Sequence, residues 1–201
     1  MGTRILEHVF DKYSFDLEKE EVDFVQNLIT GNSRGRPEYA KAEFLFDIVN
    51  NKRNSVDVDK FDYINRDTFY VGMQASVSTE KLLESARVME NQICYSIDCH
   101  DEIFNLFANR HFMFENVYYN SGVQAYELML LDVFKTSQPV FRYENYITDT
   151  EKYLELTDDS ILSLEYSQIE DLKETRDLLS RIHQRDSYVL VEELKLKEIS
   201  S

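Results

Sequence analysis

The sequence predicts a mainly α-helical fold with a small β hairpin. Five Gly and two Pro among 201 residues leave little room for a turn-rich β-sandwich or for low-complexity linkers. Apolar residues recur at helical spacing along most of the chain. With 43% apolar and 13% aromatic residues, the chain can build a real core, which excludes a wholly disordered protein.

The first part of the chain is expected to form helices that polar segments separate. The loop Thr30 to Pro37 interrupts the apolar pattern, and Gly72 with the polar residues 74–78 interrupts it again. The predicted helices run from Ile5 to Tyr13, from Val22 to Ile29, from Glu38 to about Val49, and from near Val58 towards Val71.

The second part begins with a strand signal and returns to helices. A short hairpin is predicted from Ala86 to Tyr95, followed by a long helix from Asp101 to about Thr136 that bends at Ser121-Gly122. We expect a break at residues 137–139, which divides the chain into a helical domain, 1–137, and a C-terminal helical lobe with a short strand, 138–201. The predicted elements of that lobe are helices from Asn145 to Leu156, Asp159 to Tyr166 and Ile169 to Arg185, and a strand from Tyr188 to Val191.

Charge and cysteine content exclude several classes of protein. A formal net charge of −16 would repel phosphate backbones and anionic lipid, so we expect neither general nucleic-acid binding nor membrane association. The two cysteines, Cys94 and Cys99, lack a His-rich partner segment and fit neither a disulfide scaffold nor a structural zinc site. No apolar run approaches the roughly 20 residues that span a bilayer. We expect a soluble intracellular protein, with its compartment open.

One acidic stripe on the fourth predicted helix carries candidate chemistry. Asp59, Tyr63 and Asp67 stand at i, i+4 and i+8, so they share one face, with Asp62 and Arg66 on its flank. Two carboxylates and a phenol on one stripe can hold a metal, a sugar hydroxyl and a ring. The alternative is a solvated surface, because acidic residues at a helix start are favoured by the helix dipole.

A second stripe lies on the long predicted helix. Arg110, Phe114 and Tyr118 have the same spacing, with Tyr119 beside them. An Arg directed into a cleft can bind phosphate through two hydrogen bonds, and a Tyr can pack on a base or a sugar. The alternative is an ordinary aromatic core stripe whose Arg extends to solvent along its aliphatic stem.

Three motifs follow one another within about thirty residues. They are Gly35-Arg36-Pro37-Glu38, the run from Phe44 to Asn54, and Asp57 to Tyr63 with Arg66-Asp67. In this order they resemble a known family, the SAM-and-HD-domain dNTP triphosphohydrolases. The resemblance implies an HD-type helical core with a small β hairpin and an α+β C-terminal lobe.

The resemblance also implies a substrate, a cofactor and roles for individual residues. The family cleaves a deoxynucleoside triphosphate (dNTP) to a deoxynucleoside and tripolyphosphate by attack of water at the α-phosphorus, with a divalent metal ion as cofactor. By position, Asp59 is a metal ligand, and the substrate-binding residues are Lys60 and Arg110 for phosphate, Tyr63 and Asp67 for deoxyribose and Tyr118 for the sugar edge. Tyr119, beside Tyr118, is a further candidate substrate-binding residue.

The chain departs from the family where the metal ligands belong. The family's His and His-Asp pair lie upstream of the region that matches Met1, and His100-Asp101 follows the predicted hairpin instead. Basic or imidazole groups of the family are replaced here by Phe114, Asn116 and Ser121. Of its regulatory nucleotide contacts we find Lys81, whereas Ser96 and Asp98 occupy the later positions. We therefore expect that the metal is not retained and identify no catalytic residue.

These observations lead to a main hypothesis and two alternatives. The main one is a fragment or truncated form of a metal-dependent dNTP triphosphohydrolase, inactive as this chain alone and self-associating as a homo-oligomer. The second is a non-catalytic nucleotide-binding or oligomerisation module of the same fold. The third is a helical interaction protein in which Asp59 and Arg110 make ordinary ion pairs.

Overall fold

The computed structural model describes residues 2–32, 37–73 and 76–192, and their contacts form two compact units. The first unit is Met1–Glu115 and the second is Asn116–Ser201. The sequence predicts a boundary after residue 137, but that position lies inside a continuous helix, Ser121–Phe141. The prediction of a mainly α-helical fold with one small hairpin is confirmed within the described residues.

The first unit is a helical assembly that carries the hairpin. Strands β1 and β2 are antiparallel, with Val88 opposite Ile93. A 3₁₀ turn over Pro37–Tyr39 precedes α3, so the third helix starts later than the sequence predicts. The elements are α1 (Gly2–Lys12), α2 (Lys19–Thr30), α3 (Glu43–Val49), α4 (Val58–Tyr70), α5 (Thr79–Ser85), β1 (Arg87–Met89), β2 (Gln92–Cys94) and α6 (His100–Met113).

The core of the first unit places α4 against α6. Phe61 and Ile64 of α4 and Leu106 of α6 are buried in one cluster. Helix α5, which was not predicted, contributes the fully buried Leu82 to the same cluster. Ser78 caps α5 by accepting from the Lys81 N–H, so the polar segment before α5 begins a new helix as well as ending α4.

The second unit packs α7 against α11. Its core cluster consists of Val133, Leu164, Leu172 and Leu179. The predicted helix from Asn145 to Leu156 is divided because Asp149 accepts from two N–H groups of the following turn and starts a new helix. The helices are α7 (Ser121–Phe141), α8 (Glu144–Thr148), α9 (Thr150–Glu155), α10 (Asp159–Glu165) and α11 (Lys173–His183).

Two predictions about long segments are wrong. The single helix from Asp101 to Thr136 is interrupted by a π-helical turn, Phe114–Tyr118, after which Asn120 caps α7. The expected break at residues 137–139 does not occur, since Pro139 lies within α7. The helix continues because Val140 and Phe141 pack on the core cluster of the second unit, and this burial offsets the missing proline N–H.

The predicted strand from Tyr188 to Val191 is also wrong. As far as Glu192, where the described residues end, this segment forms no strand and pairs with none. A run of β-favouring side chains forms a strand only where another strand supplies hydrogen-bond partners. No described helix has the length and apolar character needed to cross a membrane.

Candidate functional site

Helix α4 begins where its sequence supplies a cap. The Asp57 carboxylate accepts from the backbone N–H of Lys60 at 3.3 Å, which satisfies one of the free donors of the first turn. Asp59 lies in that first turn, where the helix dipole favours a negative charge. The cap thus fixes the register that places Asp59, Tyr63 and Asp67 on one face of α4.

Tyr63 and Arg110 meet where α4 packs on α6. The Arg110 guanidinium lies close enough to the Tyr63 hydroxyl to affect its pKa, and the guanidinium carbon lies 4.5 Å from the centre of the Phe114 ring. Burial raises the pKa of the Tyr63 phenol above its ordinary value, and the nearby charge of Arg110 opposes that rise. Asp59 is close enough to raise the same pKa further. Asp59, Tyr63 and Arg110 are therefore neighbours.

Asp67 lies one turn further along α4. Its carboxylate accepts from Arg66 Nε at 3.3 Å, and Arg66 also pairs with Asp62. Asp67 is half-buried, whereas Asp62 and Arg66 are exposed. The flanking residues of the acidic stripe thus form an exposed ion-pair group beside it.

A cavity of about 510 Å³ opens beside the start of α4. Asp59 and Lys60, both predicted site residues, border it. The Lys60 ammonium donates to both oxygens of Asp57, at 3.1 and 3.2 Å. The wall of the cavity is formed by Ile29, Val49, Asn50, Asp57, Val58, Asp59, Lys60 and Asp62. Carboxylates therefore outnumber ammonium groups on this wall.

Sequence reasoning missed the polar loop that supports these residues. Asn51 and Asp57 are buried, and the Asn51 N–H donates to Asp57 at 3.2 Å. The buried Asp47 accepts from Arg53 Nε at 3.3 Å and from the Ile93 N–H of β2 at 3.2 Å. An Asp directly before a helix start signals a cap, but the pairings across the loop leave no spacing signal in the sequence.

Tyr118 and Tyr119 belong to the second unit. Tyr118 is half-buried at the end of the π-helical turn, and Tyr119 is 63% exposed. Tyr119 borders a cavity of about 340 Å³ that is lined by residues of α7 and of the segment from Tyr188 to Val191. Their assignment as substrate-binding residues stays a prediction. Of the first motif, Gly35 and Arg36 lie outside the described residues.

The family's metal ion does not fit the described residues. Throughout residues 2–32, 37–73 and 76–192, no three His, Cys, Asp or Glu side chains form a group that could hold an ion. His100 Nε2 lies 3.0 Å from Asp101, and both side chains are at least 70% exposed. Asp59 is thus present without companion ligands in this part of the chain, and a single carboxylate holds a divalent ion poorly.

The arrangement suits recognition of a polar, anionic ligand. An Arg with five N–H donors stands beside a phenol that can donate or accept, and a Lys borders the adjacent cavity. A guanidinium binds phosphate oxygens through two parallel hydrogen bonds. The carboxylates of Asp59 and Asp67 on the same face accept from hydroxyl groups. Phosphate and sugar hydroxyls are the groups that these side chains complement.

Comparisons with known proteins identify relatives that are similar to most of this sequence. The deoxynucleoside triphosphate triphosphohydrolase SAMHD1 homolog of Dictyostelium discoideum is 29% identical over 96% of this chain and 37% of its own length. The human deoxynucleoside triphosphate triphosphohydrolase SAMHD1 is 28% identical over 92% of this chain and 33% of its own length. An HD domain-containing protein of Acanthamoeba polyphaga mimivirus is 30% identical over 75% of this chain and 32% of its own length.

These relatives are longer proteins, and the chain spans about a third of their length. No family model matches the chain. The similarity nevertheless covers most of its residues in several relatives, and the motifs around Asp59 and Arg110 point to the same family. Over most of its length, this chain is therefore similar in sequence to the SAM-and-HD-domain dNTP triphosphohydrolases.

Proposed function

We propose that this chain binds a deoxynucleoside triphosphate and carries part of the substrate site of a dNTP triphosphohydrolase. The observation that carries the proposal is the proximity of Arg110 on α6 to Tyr63 on α4, with Asp59 close to the same phenol. It brings together residues that are 47 positions apart in the numbering and that the motifs assign to one substrate. The relatives are named as deoxynucleoside triphosphate triphosphohydrolases, which supports a dNTP as the ligand.

Each group has a role that follows from its chemistry. Arg110 and Lys60 bind phosphate oxygens by charge-assisted hydrogen bonds. Tyr63 and Asp67 hydrogen-bond the hydroxyls of the sugar.

We further propose that the chain alone binds dNTPs without hydrolysing them. Cleavage in the family needs a divalent ion to polarise phosphate and to activate water. Asp59 is the one metal ligand that the motifs assign, and the described residues group no further ligands. A non-catalytic nucleotide-binding module is therefore the form of the function that these residues support. Homo-oligomerisation stays part of the proposal.

Calorimetric titration of dGTP into the purified chain tests binding. Arg110→Ala should weaken the affinity at least about 10-fold, because it removes charge-assisted hydrogen bonds to phosphate. Lys135→Ala removes a positive charge from an exposed pair with Asp132 in the second unit and serves as the control, with affinity unchanged within about 2-fold. Equal affinities in the three proteins would refute the assignment of Arg110.

A turnover assay tests the absence of hydrolysis. The chain is incubated with dGTP and Mg²⁺ or Mn²⁺, and deoxyguanosine and tripolyphosphate are measured. We expect no product above the protein-free background. Metal-dependent product formation that Asp59→Ala abolishes would show that the chain assembles a complete metal site, and the non-catalytic proposal would then fail.

A further inference from the structure

The side chain of Lys60 is held in place within the first unit. Its ammonium donates to both oxygens of Asp57, at 3.1 and 3.2 Å, and the exposed fractions of the two side chains are 16% and 5%. A free lysine on a helix surface samples many rotamers and loses roughly 1.5–2 kcal/mol of conformational entropy when a contact fixes it. The ion pair with Asp57 already restricts the Lys60 side chain in the ligand-free protein, so a ligand does not have to fix it.

Asp57 is itself fixed by the loop that precedes α4. It accepts from the Asn51 N–H at 3.2 Å and from the Lys60 N–H at 3.3 Å. Asn51 is anchored in turn, since its Nδ2 donates to the Val56 carbonyl at 3.0 Å and its Oδ1 accepts from Arg53 and Asn54. Ser55 has a φ of 61°, a left-handed conformation that lets the loop close on itself. The loop therefore defines where the lysine can be.

We propose that Asp57 is a positioning residue that holds the Lys60 ammonium at the cavity wall for a phosphate group of the nucleotide. This inference rests on the proposed dNTP binding. An ammonium has three N–H donors, and donation to the two Asp57 oxygens leaves one for a phosphate oxygen. Both residues border the cavity that also includes Asp59, so the remaining donor serves a ligand in that cavity.

The direction in which Asp57→Asn changes the affinity for an anion distinguishes a positioning role from a purely electrostatic one. Asp57→Asn removes a negative charge near an anion site, and Coulomb's law alone predicts stronger anion binding. Positioning predicts weaker binding, because the lysine regains its freedom and must be fixed again by the ligand. A merely structural effect on the loop predicts equal weakening for every ligand of the site.

The experiment is calorimetry with inorganic tripolyphosphate, dGTP and deoxyguanosine as ligands of the full chain. We expect Asp57→Asn to weaken tripolyphosphate and dGTP by about 3-fold to 10-fold and to leave deoxyguanosine unchanged. Asp62→Asn is the matched control, because Asp62 borders the same cavity but is 65% exposed, and we expect no weakening there. Lys60→Met should remove the effect of Asp57→Asn in a double-mutant cycle.

Folding of the variants is checked by circular dichroism. Asp57→Ser, which keeps an oxygen at the cap but cannot hold the ammonium with two oxygens, replaces Asp57→Asn if that variant unfolds. Unchanged or tighter tripolyphosphate binding, or equal weakening of all three ligands, overturns the positioning role while dNTP binding stands. If the unmodified chain binds none of the ligands, the proposed function itself fails.

Discussion

At the scale of single residues, the Tyr63 phenol reports on its partner Arg110. Burial raises its pKa, and the guanidinium lowers it by favouring the phenolate. Arg110→Gln removes that opposing charge, so the Tyr63 pKa should rise further and the phenol should titrate at higher pH. Ultraviolet titration measures the shift when the titration curve of Tyr63→Phe is subtracted to isolate the contribution of the Tyr63 phenol. Arg66→Gln, which changes an exposed ion-pair group on α4, is the control. An unchanged Tyr63 titration in Arg110→Gln would refute the contact.

Ser55 provides a second prediction at this scale. Its φ of 61° costs a non-glycine residue roughly 1–2 kcal/mol, and glycine adopts this conformation without that cost. Ser55→Gly should therefore raise the free energy of unfolding by about 1 kcal/mol, which urea denaturation measures. Ser85→Gly is the control and should lower stability, since Ser85 lies in the last turn of α5 and glycine is a poor helix former. A loss of stability in Ser55→Gly would contradict the loop geometry.

At the scale of elements, α7 shows packing overriding a local signal. Pro139 cannot donate to the Lys135 carbonyl, yet the helix continues to Phe141 because the residues after the proline are held against the core of their unit. The Ser137 hydroxyl strengthens this end of the helix through a 2.8 Å hydrogen bond with the Tyr143 hydroxyl. The prediction that a proline ends a helix is wrong where the residues after the proline are held by packing and hydrogen bonds, as they are here.

Pro139→Ala tests this account of α7. The substitution restores a backbone donor within a helix that is already formed, so we expect stability to rise by about 1 kcal/mol. Urea denaturation measures the free energy, and circular dichroism at 222 nm follows helix content. Glu127→Ala, at an exposed position of α7, should change stability by less than about 0.5 kcal/mol. Lower stability in Pro139→Ala would show that the proline is preferred at this turn.

At the scale of the whole molecule, the first unit exposes large apolar side chains. Phe69 and Tyr70 are 76% and 79% exposed at the end of α4, and Phe104 on α6 is 72% exposed. Contiguous exposed apolar surface favours association with a partner. We expect a self-associated species in sedimentation velocity at micromolar concentration, reduced by the double substitution Phe69→Ser and Tyr70→Ser. A clean monomer for the unmodified chain would contradict this prediction.

The sequence predicted those parts of the molecule that depend on local pattern. The helical face with Asp59 and Tyr63 and the hairpin were predicted from residue spacing, whereas the family motifs were identified by resemblance. The partnership of Arg110 with Tyr63 was implied only by resemblance, because contacts between helices depend on packing that no spacing specifies. The support of Lys60 by Asp57 was missed for the same reason, since an acidic residue before a helix is read as a cap alone.

The most direct test of the central claim, that the Tyr63 and Arg110 site binds a dNTP, observes Tyr63 itself. The chain is labelled with ¹³C-tyrosine, and the Tyr63 ring resonance, assigned with Tyr63→Phe, is followed by NMR as dGTP is added. We predict a saturable shift of the Tyr63 resonance that Arg110→Ala abolishes, while Tyr143, in the second unit, does not move. A Tyr63 resonance that stays in place at dGTP concentrations that saturate binding would contradict the claim.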